Sequence, residues 1–135
     1  MKLAHICLRV EDIDRMESFL CADLGFEHCF DFTKDGGRVG YYLTIGNNEF
    51  IEVFRVGSED EVKPGMIDHF CLECDDIEKV HIEISQKTWP ITSIKKGCDQ
   101  SFQFWVTGPE GLRVEFHQYT KESSQQTKRS VEVDW

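Results

Sequence analysis

Four residues suited to holding a divalent cation recur at matching places in the two halves of the chain. His5 opens the segment HICLRVEDID and His69 opens HFCLECDDIE. Glu52 lies 47 positions after His5, and Glu115 lies 46 after His69. Two imidazoles and two carboxylates suit zinc, nickel, cobalt or manganese, and in an octahedron they leave two adjacent positions for water or for two neighbouring substrate oxygens. One His and one Glu per half, at nearly the same spacing, point to a single divalent metal site shared by two repeats.

The repeat holds letter by letter. An offset of 64 superposes His5 on His69, Cys7 on Cys71, Leu8 on Leu72, Asp12 on Asp76 and Ile13 on Ile77. EFIEVF around Glu52 echoes LRVEFH around Glu115. Self-similarity at a fixed offset sets the architecture before any motif is interpreted, and two copies mean a duplicated module rather than a solenoid.

The elements that must position these residues follow one order twice. Residues 2–10 alternate as a strand, 13–24 (IDRMESFLCADL) carry apolar groups at helical spacing, and Gly25 closes that helix. Strands are expected near 26–32, 39–45 and 49–56, separated by KDGG and GNN turns. The second half offers a strand at 66–74, a helix at 76–87 and strands near 91–95, 101–107 and 112–119, with GPEG as the last turn. The order is β-α-β-β-β, twice, an α+β chain. Module 1 spans 1–57, the linker SEDEVKPG 58–65 and module 2 66–119; the polar tail 120–135 is read as loose, ending in Trp135. At 135 residues the chain amounts to one domain.

Alternate side chains of a strand point to opposite faces of its sheet. His5, Cys7 and Arg9 therefore share one face, and Ile6, Leu8 and Val10 the other. Glu52 and Phe54 oppose Ile51 and Val53; His69, Cys71 and Glu73 oppose Phe70 and Leu72; Arg113, Glu115 and His117 oppose Leu112, Val114 and Phe116. Each strand keeps an apolar face for a helix, which leaves the ionisable faces to a shared concavity. Two carboxylates converging there repel one another, and a dication removes that cost.

A formal charge of -10 disfavours nucleic acid and anionic membranes as partners, since association would begin with repulsion. No apolar run approaches membrane-spanning length and MKLAHICLRV is not a secretory leader, so a cytoplasmic location is expected. The six cysteines are then expected to stay reduced. The CxxC at Cys71 to Cys74 falls within a strand, where positions three apart face opposite sides and do not readily chelate one metal together.

Over residues 1–119 the chain resembles the vicinal oxygen chelate superfamily, and within it bacterial glyoxalase I. The likeness rests on MKLAHICLRVEDIDRMESFLCADLGF, with His5 in the first strand, LRV at Leu8 to Val10 and a helix ending at LGF, and on GPEGLRVEF before the last ligand strand. The resemblance implies paired βαβββ modules forming a half-open β-barrel with helices outside, and metal ligands at His5, Glu52, His69 and Glu115. It implies a lyase or isomerase acting by proton transfer through a metal-chelated enediolate on a small α-hydroxy carbonyl compound or hemithioacetal, with Glu115 or Glu52 as the base. It also implies a homodimer, with the metal site either inside one chain or completed across the interface.

The substrate shell departs from the family pattern. Where bacterial glyoxalases I carry an Asn that helps hold glutathione, this chain has Val56, and the loop at Lys95, Lys96, Gly97 and Cys98 is offset. Glutathione is thus a possible rather than a required co-substrate. Arg9 faces the site and suits an anionic group, or else pairs with Glu73 or Glu115. Gln103 and Trp105 share a strand face and are candidates for substrate contact, as are Tyr42 and Thr44, while His117 sits two residues beyond Glu115. His28 and His81 read as local residues. Three alternatives stay open: an epimerase or racemase using the same ligand set, an extradiol-type dioxygenase, and a non-catalytic drug-binding protein, for which the negative charge and 12% aromatic content speak.

Overall fold

The structure, a computed structural model, describes residues 5–47, 49–56, 67 and 69–129. The linker 58–65 and Trp135 lie outside the described residues. Two compact units are present, Met1–Gly65 and Met66–Trp135.

The first unit runs β1 (His5–Val10), α1 (Ile13–Glu17), β2 (Glu27–Lys34), β3 (Gly37–Gly46) and β4 (Glu49–Arg55). Its four strands form one open mixed sheet in the order β1-β4-β3-β2, with β1 parallel to β4 and the other neighbours antiparallel. Asp12 starts α1 by accepting from the Asp14 and Arg15 amides. Beyond Glu17 the helix widens into a π-helical stretch, Ser18–Asp23, within the span expected to be one α-helix. Gly25, at φ 79°, donates to the Cys21 carbonyl and turns the chain into β2. Ile13, Met16, Phe19 and Leu20 are at most 1% exposed and supply the helical side of a core whose sheet side is Tyr41, Leu43, Ile51 and Val53. On the same helix, Glu17 and Asp14 pair with Arg38, which also pairs with Asp31, tying the helix to β2 and β3.

The second unit repeats the plan with β5 (Phe70–Glu73), α2 (Ile77–Ser85), β6 (Lys95–Lys96), β7 (Phe102–Thr107) and β8 (Arg113–Gln118). The sheet order is β5-β8-β7-β6, again with the first and last strands parallel. Asp76 caps α2 as Asp12 caps α1. Ile77 and Ile84 are buried beside Phe104, Val106, Val114 and Phe116, and the Phe104 and Phe116 rings stack at 4.8 Å.

Three local expectations need correction. The strand expected at 91–95 reduces to a single bridge, Ile91 to Val106, and to the two residues of β6. The Thr92 hydroxyl accepts from the Trp105 amide where a strand would offer a backbone carbonyl, which interrupts the ladder. His69 precedes β5 rather than lying within it. The described part of the tail is anchored, not loose: α3 (Ser124–Thr127) follows Ser123, which is fully buried.

That anchor is a polar network. Asp99 accepts from the Ser101 hydroxyl at 2.9 Å and the Gln125 amide at 2.7 Å, and the Ser101 and Ser123 hydroxyls meet at 3.0 Å. Burial raises the Asp99 pKa, but the hydrogen bonds from Gln125 and Ser101 outweigh it and hold the carboxyl below its usual value. A depressed folded value means stability present above the unfolded pKa of about 3.9 and lost as pH falls through the folded one. Asp99→Ala is therefore expected to speed hydrogen exchange at the Thr127 and Lys128 amides, which bond the Ser123 and Ser124 carbonyls, while leaving the Trp105 amide protected. The difference from the unmutated chain should close as the pH falls below the aspartate range.

Candidate functional site

Strand register lays the candidate residues out in rows. In the first unit one row across the sheet reads Phe30, Tyr42, Glu52, Cys7; the next reads Phe32, Gly40, Phe54, Arg9; on the other side lie Thr44, Phe50 and His5. His5 and Glu52 occupy adjacent rows, with Nε2 3.9 Å from Oε2. In the second unit the corresponding rows are Trp105, Glu115, Cys71 and Lys95, Gln103, His117, Glu73. His69 Nε2 lies 3.4 Å from Glu115 Oε2. Two donors on one metal, each about 2.1 Å from it, stand about 3 to 3.5 Å apart. The second pair meets that spacing and the first, at 3.9 Å, is wider than it, so the donor chemistry of both pairs and the spacing of the second suit a divalent cation.

The neighbours of the two pairs correspond in position and differ in kind. His5 meets Tyr42 edge-on at 5.8 Å, and His69 meets Trp105 edge-on at 4.6 Å. Beyond Glu52, however, the sheet is aromatic: Phe30 stacks on Tyr42 at 5.0 Å, Tyr42 on Phe50 at 5.3 Å and Phe32 on Phe54 at 4.6 Å. Phe30 is 49% exposed, and Phe32, Tyr42, Phe50 and Phe54 are part-exposed. Beyond Glu115 the sheet is polar. Glu115 is 7% exposed and His117 8%, with His117 Nε2 3.0 Å from Glu115 Oε1. Contact with Glu115 raises the His117 pKa against the opposing effect of burial.

Each carboxylate also has a thiol beside it in register. Burial and Glu52 push the Cys7 thiol up to about 11, and burial and Glu115 push Cys71 up to about 12, so both are protonated at neutral pH. Cys71, Glu115 and His117 place donor atoms within 4.8 Å of one another, a second metal-competent cluster that the repeat pattern did not reveal. All six cysteines are free, and the Cys74 thiol donates to the His117 carbonyl at 3.4 Å.

The remaining candidates fall on the same faces or outside them. Arg9 is exposed on the His5 and Cys7 face. Trp105 is covered by the Arg113 guanidinium at 4.3 Å, and Gln103 pairs across the strands with His117. Lys95 and Lys96 are exposed on the edge strand. His28 bonds Glu17 at 2.8 Å and His81 meets the Thr92 carbonyl at 3.0 Å, both local contacts. No helix among the described residues is long and apolar enough to cross a membrane.

Comparison with known proteins places this geometry in a family. The chain is similar to the antibiotic binding protein TnmS3 from Streptomyces, at 16% identity over 89% of this chain and 97% of that one, with a TM-score of 0.74. A glyoxalase family protein from Enterococcus faecalis matches at 16% identity over 86% and 96%, TM-score 0.71. A lactoylglutathione lyase from Agrobacterium tumefaciens matches at 16% identity over 87% and 92%, TM-score 0.65. Identities this low speak for the fold alone. No curated protein matches the chain. Residues 2–116 match the sequence pattern of one family along most of the chain, and with the twice-repeated βαβββ sheet this makes the chain a member of the Glyoxalase/Bleomycin resistance protein/Dioxygenase superfamily.

Proposed function

We propose that the chain is a metal-dependent lyase or isomerase of the glyoxalase I type, moving a proton on a small α-hydroxy carbonyl compound or hemithioacetal. His5, Glu52, His69 and Glu115 are the protein donors to one divalent cation, zinc, nickel, cobalt or manganese, in a single domain that acts as a homodimer. The observation that carries this reading is the imidazole–carboxylate pair repeated at corresponding rows of two sheets. A bound cation supplies Lewis acidity to a substrate carbonyl oxygen. The chain supplies the proton transfer: one of Glu52 and Glu115 takes the proton from carbon and returns it to the neighbouring atom. Glu115 is held between two imidazoles, whereas the Glu52 side chain is 20% exposed beside aromatic rings, which favours Glu52 as the carboxylate that moves. Arg9 offers charge to an anionic end of the substrate, and Gln103 and Trp105 are the other residues assigned to substrate contact.

The aromatic wall of the first unit favours a second reading, sequestration of a planar drug-like molecule, and the likeness to an antibiotic binding protein weighs the same way. Metal analysis and turnover separate the two. The purified protein is expected to carry close to one cation per chain and, after loading with nickel, cobalt, zinc or manganese, to turn over hemithioacetals or epimerisable hydroxy ketones. Full loading with no turnover across that panel, together with quenching of the aromatic fluorescence by planar ligands, would transfer the assignment to sequestration. Activity regained on mixing inactive Glu52→Gln and Glu115→Gln chains would put the site across the dimer interface.

A further inference from the structure

We propose that the second unit holds a soft divalent cation by itself, through Cys71, Glu115 and His117, as an alternative arrangement to the four-residue site proposed above, with which it shares Glu115. The three donor atoms lie within 4.8 Å of one another. His117 is 8% exposed, and both its ring nitrogens are buried without a hydrogen bond among the described residues, Nε2 standing 3.0 Å from Glu115 Oε1. A buried imidazole nitrogen without a partner is costly, and coordination satisfies it. His117 also approaches Glu115 from the Oε1 side, while His69 approaches Oε2, so the cluster leaves the His69 contact in place.

The inference is specific to the second unit. Cys7 and Glu52 stand in register as Cys71 and Glu115 do, but the row position of His117 is taken in the first unit by Phe54, which offers no donor. One thiolate, one imidazole and one carboxylate match zinc or cobalt(II) rather than magnesium or calcium, and leave a fourth position for water. On binding, the Cys71 sulfur gives its proton to solvent and forms the metal–sulfur bond; no oxidant or reductant is needed.

Cobalt(II) titration of the metal-free, reduced, full-length protein tests this, because thiolate coordination produces a near-ultraviolet sulfur-to-cobalt charge-transfer band that nitrogen and oxygen donors do not. The unmutated chain is expected to show the band. Cys71→Ser, a small change at an exposed position, should lose it, His117→Gln should lose or weaken it, and Glu52→Gln should keep it. Absence of the band from the unmutated chain, or its persistence in Cys71→Ser, overturns the proposal. Cobalt bound without the band and released in Glu52→Gln would sink this inference while leaving the four-residue site standing; a band that survives Glu52→Gln supports it whatever becomes of that site.

Discussion

Glu115→Gln is expected to lower cation affinity by at least about a hundredfold, since even removal of outer-shell partners costs roughly 10–100-fold and Glu115 is proposed as a direct donor. The side chain serves both cation arrangements, with one oxygen facing His69 and the other His117. Glu52→Gln should be milder towards zinc, because Cys71, Glu115 and His117 survive it. Zinc competition against a chelating dye measures both. Equal loss in the two variants would mean that the second unit holds no cation alone, and unchanged affinity in Glu115→Gln would put the cation elsewhere.

The same substitution has a readout in the metal-free protein. Contact with Glu115 is the main influence raising the His117 pKa, so Glu115→Gln should bring that pKa down, visible in the pH titration of the ring proton resonances. The sign for stability follows. A histidine raised above its unfolded value of about 6.5 contributes fully below that value, and the contribution fades as pH rises through the folded pKa. Metal-free protein should therefore be more urea-resistant at about pH 5.5 relative to Glu115→Gln than at about pH 8.5.

Much of this was legible in the sequence because duplication writes the same pattern twice. The offset of 64 superposed His5 on His69 and Asp12 on Asp76, which the structure shows capping α1 and α2, the echo of EFIEVF in LRVEFH matched Glu52 with Glu115, and strand alternation put Cys7 and Cys71 on the faces of their carboxylates. What the repeat could not show was where the two copies differ. His117 aligns with Phe54, and a comparison built on shared letters passes over that exchange, although it turns an aromatic surface into a donor cluster. The aromatic wall was hidden for another reason. Phe30 and Phe32 reach the Tyr42 face through register shifts between His28 and Phe30 and between Phe32 and Thr33, and simple alternation cannot anticipate a shift. Thr92 spoiled the expected strand at 91–95 by a side-chain hydrogen bond that propensity does not register.

Gly40→Ala is expected to destabilise the first unit and to disturb its ligand face at once. Phe32 and Phe54 lie on the strands flanking Gly40, paired with it in register, and their ring centroids stand 4.6 Å from each other. A Cβ on Gly40 would meet Phe54 Cδ1 at 2.7 Å and would stand closer still to the Val53 carbonyl oxygen. The ring can swing aside, at the loss of an aromatic pair of about 1 kcal/mol. The carbonyl belongs to the β3–β4 pairing and moves only with the backbone, and overpacking of this kind costs about 1–3 kcal/mol. Against this stands about 0.4–1 kcal/mol gained by stiffening the unfolded chain, so the net effect is destabilising. Urea unfolding should show a lower midpoint, and Phe54→Ala in the Gly40→Ala background should cost less than Phe54→Ala alone, because the methyl then fills space the ring has left. Additive losses in that cycle would mean that the methyl and the ring do not compete, and that the stacked pair does not depend on the glycine between its strands.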